Sequence, residues 1–260
     1  MDGAGAERIG QHIRLRTARQ VQGDDQPLLA HAPAPRKRAF SSLTILAIAA
    51  PAPSALEEPM SVSPARLPAA PLGSGHIPAL DAVLTCRPDH VVLGMSSETF
   101  WDGLAGSRRL RRSLEKRAGV GVTLGSDACR AALRACGRSI RRLGIVTPYM
   151  PVGDRQVRRF FADCGYEIVH LLGLRCRSPV LIAHEPRERL REAILRVNRG
   201  KVDAIVQVGT NLAMAALAAE AEGWLGKPVI AINTATYWHA LREYGIRDKV
   251  YGWGSLLAEH

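Results

Sequence analysis

Lysine is scarce in this sequence: only five of its 35 basic side chains are lysine, and the rest are arginine. Aromatic residues make up 5% of the chain, and none interleaves with the arginines as a base-stacking platform would require. The five cysteines, Cys86, Cys129, Cys136, Cys164 and Cys176, form no C-x-x-C pair. An odd number without paired spacing argues against a disulfide framework or a cysteine-rich zinc site, and for a reducing compartment. No run of about 18 uninterrupted apolar residues offers a membrane span. Neither a G-x-G-x-x-G nor a G-x-x-x-x-G-K-[ST] fingerprint is present, so a nucleotide is the weaker choice for any anion site.

What is there is a 260-residue chain, 47% hydrophobic and 23% charged, a composition that excludes wholesale disorder. The length suits one large domain or two of ordinary size. A net charge of +11 raises nucleic-acid binding as one reading. That reading needs the arginines to gather on one face. They are instead spread over several helical patterns, as solvated faces are. In SRRLRRSLEKR at 107–117, Leu110 and Leu114 lie four apart with arginines around them. In the pattern at 187–199, Leu190, Ile194 and Val197 form the apolar stripe.

The chain changes character near residue 78. Ten of its 16 prolines precede that point, a density that forbids long helices and central strands. Residues 1–78 are therefore expected to be poorly packed. One apolar run, LTILAIAA at 43–50, follows RKR at 36–38 and resembles a secretory signal. It lies some 35 residues too far from Met1, and the body after it reads as a cytoplasmic protein.

Residues 79–260 alternate strand and helix signals. Strands are expected at 90–95, 120–124, 143–147, 166–171, 204–208 and 228–232. Helices are expected near 107–117, 126–140, 152–164, 187–199, 211–224 and 234–244. Such alternation implies an α/β fold with right-handed βαβ units and parallel strands covered on both faces. Several strand runs are continuously apolar, as buried parallel strands should be.

In open parallel sheets, chemistry sits beyond the carboxyl ends of the strands. The loops there are Ser96-Ser97-Glu98-Thr99, Pro148-Tyr149-Met150-Pro151, Gly209-Thr210-Asn211 and Asn233-Thr234-Ala235-Thr236. Each carries small hydroxyl or amide groups, and most lead directly into a helix. A single Ser or Thr at such a turn is more often only a cap. Four together favour a carboxylate or phosphate site on helix N-termini. Tyr149 lies between Pro148 and Pro151, which stiffen its loop, so its phenol can donate to a carboxylate or enolate oxygen. Glu98 is a candidate base if burial raises its pKa; otherwise it simply complements a helix dipole. Cys129 and Cys136, seven apart on one helix face, read as core thiols. His239 reads as packed within its helix.

The segments DHVVLGMSSETFWDG, LGIVTPYMPVGDRQVRRFF, DAIVQVGTNLA and KPVIAINTATYWHALREYG resemble successive motifs of the aspartate/glutamate racemase superfamily. The nearest branch is that of arylmalonate decarboxylase and maleate cis-trans isomerase. The resemblance covers about 89–252 of the sequence. It implies two pseudo-symmetric α/β lobes with short parallel sheets and a site in the cleft between them. The first lobe would comprise 79–124 plus 234–260, and the second 125–233. It also implies cofactor-free, metal-free chemistry beside the carboxylate of a small mono- or dicarboxylate. Neither nucleic acid nor membrane would be a partner, and homo-oligomerisation stays open.

In that family one or two loop cysteines move protons or add to a double bond, and a thiol suits both tasks. Here the two cysteine positions hold Met95 and Val208, which cannot transfer a proton. The oxygen-binding positions are kept in type or nearly so: Ser96, Ser97, Tyr149, Gly209 and Thr210. The resemblance thus implies a decarboxylase or isomerase working through an enediolate-type intermediate, impaired at its acid–base step. The alternatives are a non-catalytic carboxylate-binding protein of the same fold, or a lyase or hydratase using Glu98 or Tyr149. The family's opening strand is hinted at only by Glu7-Arg8-Ile9-Gly10, so the first lobe is expected to be incomplete.

Overall fold

The computed structural model describes residues 45–48 and 76–260. Among these, parallel strands form two sheets. The first contains β1 (Ile45–Ile48), β2 (His90–Leu93) and β3 (Gly121–Leu124) in that spatial order. The second contains β4 (Arg142–Thr147), β5 (Glu167–Gly173), β6 (Ala204–Gln207) and β7 (Val229–Ala231) in the order β5-β4-β6-β7. Every strand pairing is parallel.

The helices are α1 (His76–Leu84), α2 (Gly103–Ala118), α3 (Gly125–Cys136), α4 (Pro151–Asp163), α5 (Pro179–Ala183), α6 (Arg187–Val197), α7 (Ala215–Leu225), α8 (Ile232–Glu243) and α9 (Ser255–Glu259). Among the described residues no helix is long and apolar enough to cross a membrane.

The six strands expected from apolar runs are all present and parallel, with ends displaced by a residue or two, as fraying ends commonly are. Their continuous apolarity has its cause in burial on both faces: Leu143, Ile145 and Val146 of β4 and Ala204, Ile205 and Val206 of β6 are fully buried. Alternate residues feed different cores. Ala204 and Val206 face one cluster with Leu143 and Ile145, whereas Ile205 and Val146 face another with Leu190, Ile194 and Val197 of α6. Gly144 marks the closest approach of α6 to the sheet. A Cβ there would lie 2.5 Å from the Val197 carbonyl oxygen.

The arginines of α2 and α6 lie outward, as the stripes implied. Leu110 and Leu114 are buried while Arg108, Arg109, Arg112 and Arg117 are exposed. On α6, Leu190, Ile194 and Val197 are buried while Arg187, Arg189, Arg191 and Arg196 are exposed.

Four of the described elements were not read from the sequence: the short helices α5 and α9, the strand β1 and the helix α1. The strand Ile45–Ile48 lies inside the proline-rich region and pairs with β2 from Ile45 opposite His90 to Ile48 opposite Leu93. The run LTILAIAA is too short for period-based assignment, and the proline density around it argues against a central strand. Helix α1 begins at His76, ahead of the boundary at 78, and buries Leu80 and Val83 against Leu110 and Leu114. Glu7–Gly10 lie outside the described residues.

The two sheets are joined through side chains. Phe100, after β2, meets Phe160 of α4 edge-on at 5.2 Å between ring centroids, and Phe160 meets Phe161 edge-on at 5.3 Å. All three rings are fully buried. The last long helix, α8, returns to the first sheet, where Ala240 and Leu241 pack on Val92.

Candidate functional site

The candidate site is built where strands from both sheets end. β2 runs out at Leu93, and the chain enters a 3-10 turn, Ser97–Phe100, directly after Ser96. Ser96 is buried, and its carbonyl accepts bonds from the Thr99 N–H at 3.1 Å and the Thr99 hydroxyl at 2.7 Å. These local bonds hold the Ser96 hydroxyl facing the second sheet.

β4 ends at Thr147, and Pro151 opens α4 at its first turn, where a missing N–H costs nothing. Between them the Tyr149 N–H donates to the Thr147 hydroxyl oxygen at 3.1 Å. Thr147 in turn donates to Asp154 at 2.5 Å. The tyrosine is therefore gripped from below by its own loop. β6 ends at Gln207, whose buried amide donates to the carbonyls of Val208 at 2.7 Å and Gly209 at 2.8 Å. Gly209 has φ +98°, and a Cβ would lie 2.4 Å from the Pro148 ring, so only glycine fits where these two loops touch.

Three of the expected residues come together. The Ser96 hydroxyl and the Tyr149 phenol are hydrogen-bonded at 2.9 Å. The Thr210 backbone N–H donates to the same Ser96 oxygen at 3.1 Å. One serine thus links three strand-end loops, from positions up to 114 residues apart. The fourth loop joins through Asn233, whose side-chain amide donates to the Thr210 carbonyl at 2.9 Å. Ser97 and Glu98 follow on the 3-10 turn, both partly exposed, and Gly209 precedes Thr210 in the third loop.

Met95 is partly exposed at the mouth of the first loop. Val208 is fully buried and shares a core cluster with Phe100, against which Tyr149 also packs. Burial pushes the Tyr149 phenol well above its ordinary pKa, against a smaller opposing effect of the Ser96 bond. The phenol is therefore neutral near pH 7 and acts as a hydrogen-bond donor rather than a base. Burial also raises the Asp154 carboxyl above its ordinary range, opposed by the Thr147 bond and by Arg175 and Arg158.

Sequence reasoning missed Thr147, Asp154 and Gln207, and it singled out the Asn233 loop without giving that side chain a role. Asp154 lies in the first turn of a helix, where an acid reads as dipole complement, and only the tertiary bond to Thr147 reveals its support of the tyrosine loop. Gln207 was the one polar residue in an apolar strand run, which was the available signal.

None of the cysteines is hydrogen-bonded to Ser96, Tyr149 or Thr210, although Cys129 shares the core against which Tyr149 packs. Cys129 is fully buried, and burial raises its thiol far above the usual range. The Cys136 thiol is pushed up to about 12, chiefly by burial. We expect iodoacetamide at about pH 8 to leave both unlabelled in the folded protein and to label both after denaturation, because the thiolate is the reacting form. Mass mapping of modified peptides measures this, and rapid native labelling of Cys129 would contradict the burial. His239 is buried in α8, with Nε2 3.6 Å from Glu243, and is part of that helix's packing as expected.

The fold places this chain among α/β proteins whose parallel sheets gather their loops beyond the carboxyl ends of the strands, where ligands of such sheets bind. The arylmalonate decarboxylase family profile matches residues 82–257, and the chain belongs to that family. A maleate isomerase of Alcaligenes faecalis is 26% identical over 120 residues, a match covering 45% of this chain and 47% of that protein. The match thus spans about half the length of that relative. Among solved structures, a maleate cis-trans isomerase of Nocardia farcinica superposes with a TM-score of 0.66 at 21% identity, over 70% of this chain and 76% of that one. A crystal structure of arylmalonate decarboxylase superposes with a TM-score of 0.63 at 23% identity, over 72% of this chain and 85% of that one. These likenesses establish the shared fold.

Proposed function

We propose that this chain holds a small mono- or dicarboxylate on Ser96, Tyr149 and Thr210, with Ser97 and Gly209 beside them, and stabilises an enediolate-type anion there. The observation that carries the reading is the bonding of Tyr149 and Thr210 to one buried serine hydroxyl. Those groups are donors that a carboxylate oxygen can recruit, and donors fixed before the ligand arrives cost little reorganisation.

For a malonate the step is a decarboxylation. The bond between the central carbon and the departing carboxylate breaks, carbon dioxide leaves, and the electron pair moves onto the remaining carboxylate as an enediolate. The Tyr149 O–H donates to an oxygen that gains charge. The central carbon must then take up a proton. Neither Met95 nor Val208 can supply it, so the proton comes from water, and turnover is impaired.

Racemisation and cis-trans isomerisation, which need a thiol, are then absent. Deuterium exchange at the alpha carbon of aspartate and glutamate, followed by NMR, should stay at the uncatalysed background. Exchange at the rate of a two-cysteine racemase would overturn the reading. The same replacements favour a second reading, a protein that binds carboxylates without turning them over. A panel of malonate, phenylmalonate and maleate separates the two: carbon dioxide release above background supports impaired decarboxylation, and saturable binding without release supports the second reading.

Mutation Tyr149→Phe should weaken malonate binding by about tenfold or more, since a hydrogen bond to a charged oxygen contributes roughly 1.5–3 kcal/mol. The apolar ring remains, so the thermal midpoint should change little. Calorimetric titration measures the affinity, and equal binding by wild type and variant would refute the shared cradle.

A further inference from the structure

We infer that a second anion site, for a small diphosphate-bearing ligand, lies at the opposite end of the second sheet, in a pocket where Arg134, Arg138 and Arg141 surround the turn Cys164-Gly165-Tyr166. The pocket has a volume of about 680 Å³. Arg134 comes from the last turn of α3, and Arg138 and Arg141 from the connection into β4. The wall is the turn from α4 into β5. All of these precede β4 and β5, whereas the carboxylate cluster follows them. The length of a six-residue strand, about 17–20 Å, separates the two.

Among the described residues no carboxylate lies within ion-pair distance of Arg134, Arg138 or Arg141. Three acids lie nearby in the chain, Asp163, Glu167 and Asp203, and none of them pairs with these three guanidinium groups. Asp203 accepts from the backbone N–H groups of Arg141 and Arg142 and pairs with the Arg142 guanidinium at 2.6 Å. Asp163 accepts from the Leu104 N–H at 3.0 Å. Arg134, Arg138 and Arg141 line one concavity.

Arg141 is also held in place. One of its terminal nitrogens donates to the Arg138 and Ile140 carbonyls at 2.7 and 3.0 Å. A guanidinium tied through one nitrogen keeps its other N–H groups for a ligand, and a fixed fork loses less entropy on binding. The field of the arginines is felt by their neighbours. Burial sets the Cys164 thiol at about 11; Arg130 and Arg134 pull against that rise, while Asp127 and Asp163 add to it.

Phosphate fits this chemistry better than a lone carboxylate. Guanidinium groups engage tetrahedral phosphate oxygens bidentately, and three of them match the charge of a diphosphate. Tyr166, partly exposed on the pocket wall, offers an aromatic base apolar surface beside the arginines. The ligand is therefore either inorganic pyrophosphate or a nucleoside diphosphate, and the two share the group that is recognised.

The test is calorimetric titration of the full chain with pyrophosphate and with adenosine diphosphate at about 150 mM salt, where diffuse attraction to a basic protein is screened. We expect saturable binding, weakened about tenfold or more by the double substitution Arg134→Gln/Arg138→Gln. Both side chains are exposed, so the variant should fold, and an unchanged thermal midpoint without ligand confirms it. The double substitution Arg196→Gln/Arg199→Gln, which removes the same charge elsewhere on the surface, should leave the affinity within about twofold, as should Tyr149→Phe. Tighter binding of adenosine diphosphate than pyrophosphate supports the site and assigns the nucleotide, whereas equal binding supports it and assigns the diphosphate alone. No saturation by either ligand overturns the inference, as does an equal loss in the Arg196/Arg199 control. Malonate binding at the Tyr149 cluster stands or falls separately.

Discussion

Replacing Val208 by cysteine should raise phenylmalonate decarboxylation by about 10²–10⁴-fold over the wild-type chain, the range that a positioned proton donor contributes. Val208 lies one residue before Gly209, on the strand face that carries Ala204 and Val206, in the core cluster against which Tyr149 packs. A thiol there would be at the end of β6, beside the loop that donates the Thr210 N–H to Ser96. The exchange removes little volume, so its stability cost should be about 1 kcal/mol. Burial would raise the new thiol's pKa, as complete burial does for Cys129. That keeps the thiol protonated, which suits delivery of a proton to an enediolate carbon. It disfavours the thiolate that must add to maleate. The variant should therefore gain decarboxylation and little isomerisation. Carbon dioxide release and proton NMR of maleate measure the two, with Val208→Ser as a control that offers no comparable acid. No gain in a variant that folds and still binds malonate would show that the cradle does not stabilise the anion.

The second large effect concerns the junction between the sheets. Phe160→Ala should destabilise the fold by about 3–5 kcal/mol, the range for truncating a buried phenylalanine. Its ring is fully buried between Phe100 and Phe161, with edge-on contacts to both. Each such contact adds about 0.5–1.5 kcal/mol beyond area burial. Because Phe100 closes the turn that begins after Ser96, the loss should also loosen the first loop against Tyr149. Denaturant unfolding measures the stability, and malonate titration of the folded variant measures the loosening. A change below about 1 kcal/mol would mean that the ring is less confined than its burial implies.

The side chains of Met95 and Val208 stand apart from the bonds that join the Ser96, Tyr149 and Thr210 loops. The hydroxyl and backbone donors sit on loops held by bonds that do not involve the side chains of residues 95 and 208: Thr99 to the Ser96 carbonyl, Thr147 to Asp154, and Gln207 to the Val208 and Gly209 carbonyls. A thiol can therefore be exchanged for an apolar side chain without dismantling the cluster. Gly209 could not be exchanged in the same way, because its backbone and the Pro148 ring occupy the space of any Cβ.

Local pattern by itself determined most of the framework. Leu110 and Leu114, or Leu190, Ile194 and Val197, mark a buried stripe because a helix repeats every few residues and only one side meets the core. The apolar runs of β4 and β6 mark strands buried on both faces for a similarly short-range reason. Strand-end loops carrying Ser96, Tyr149 and Thr210 could be picked out because parallel sheets present their chemistry there. What only the tertiary structure decided are facts of distance between remote segments. The pairing of Ile45–Ile48 with β2 depends on a partner some 45 residues away, which no period within a four-residue strand announces. The meeting of Ser96 with Tyr149 and Thr210 depends on how Phe100 and α4 dock the two sheets. The support of the tyrosine loop by Asp154 and the linking of the fourth loop by Asn233 are single hydrogen bonds, invisible until the backbones that carry them are placed. Periodicity records which side of an element is buried, but the partner it is buried against is settled only by packing.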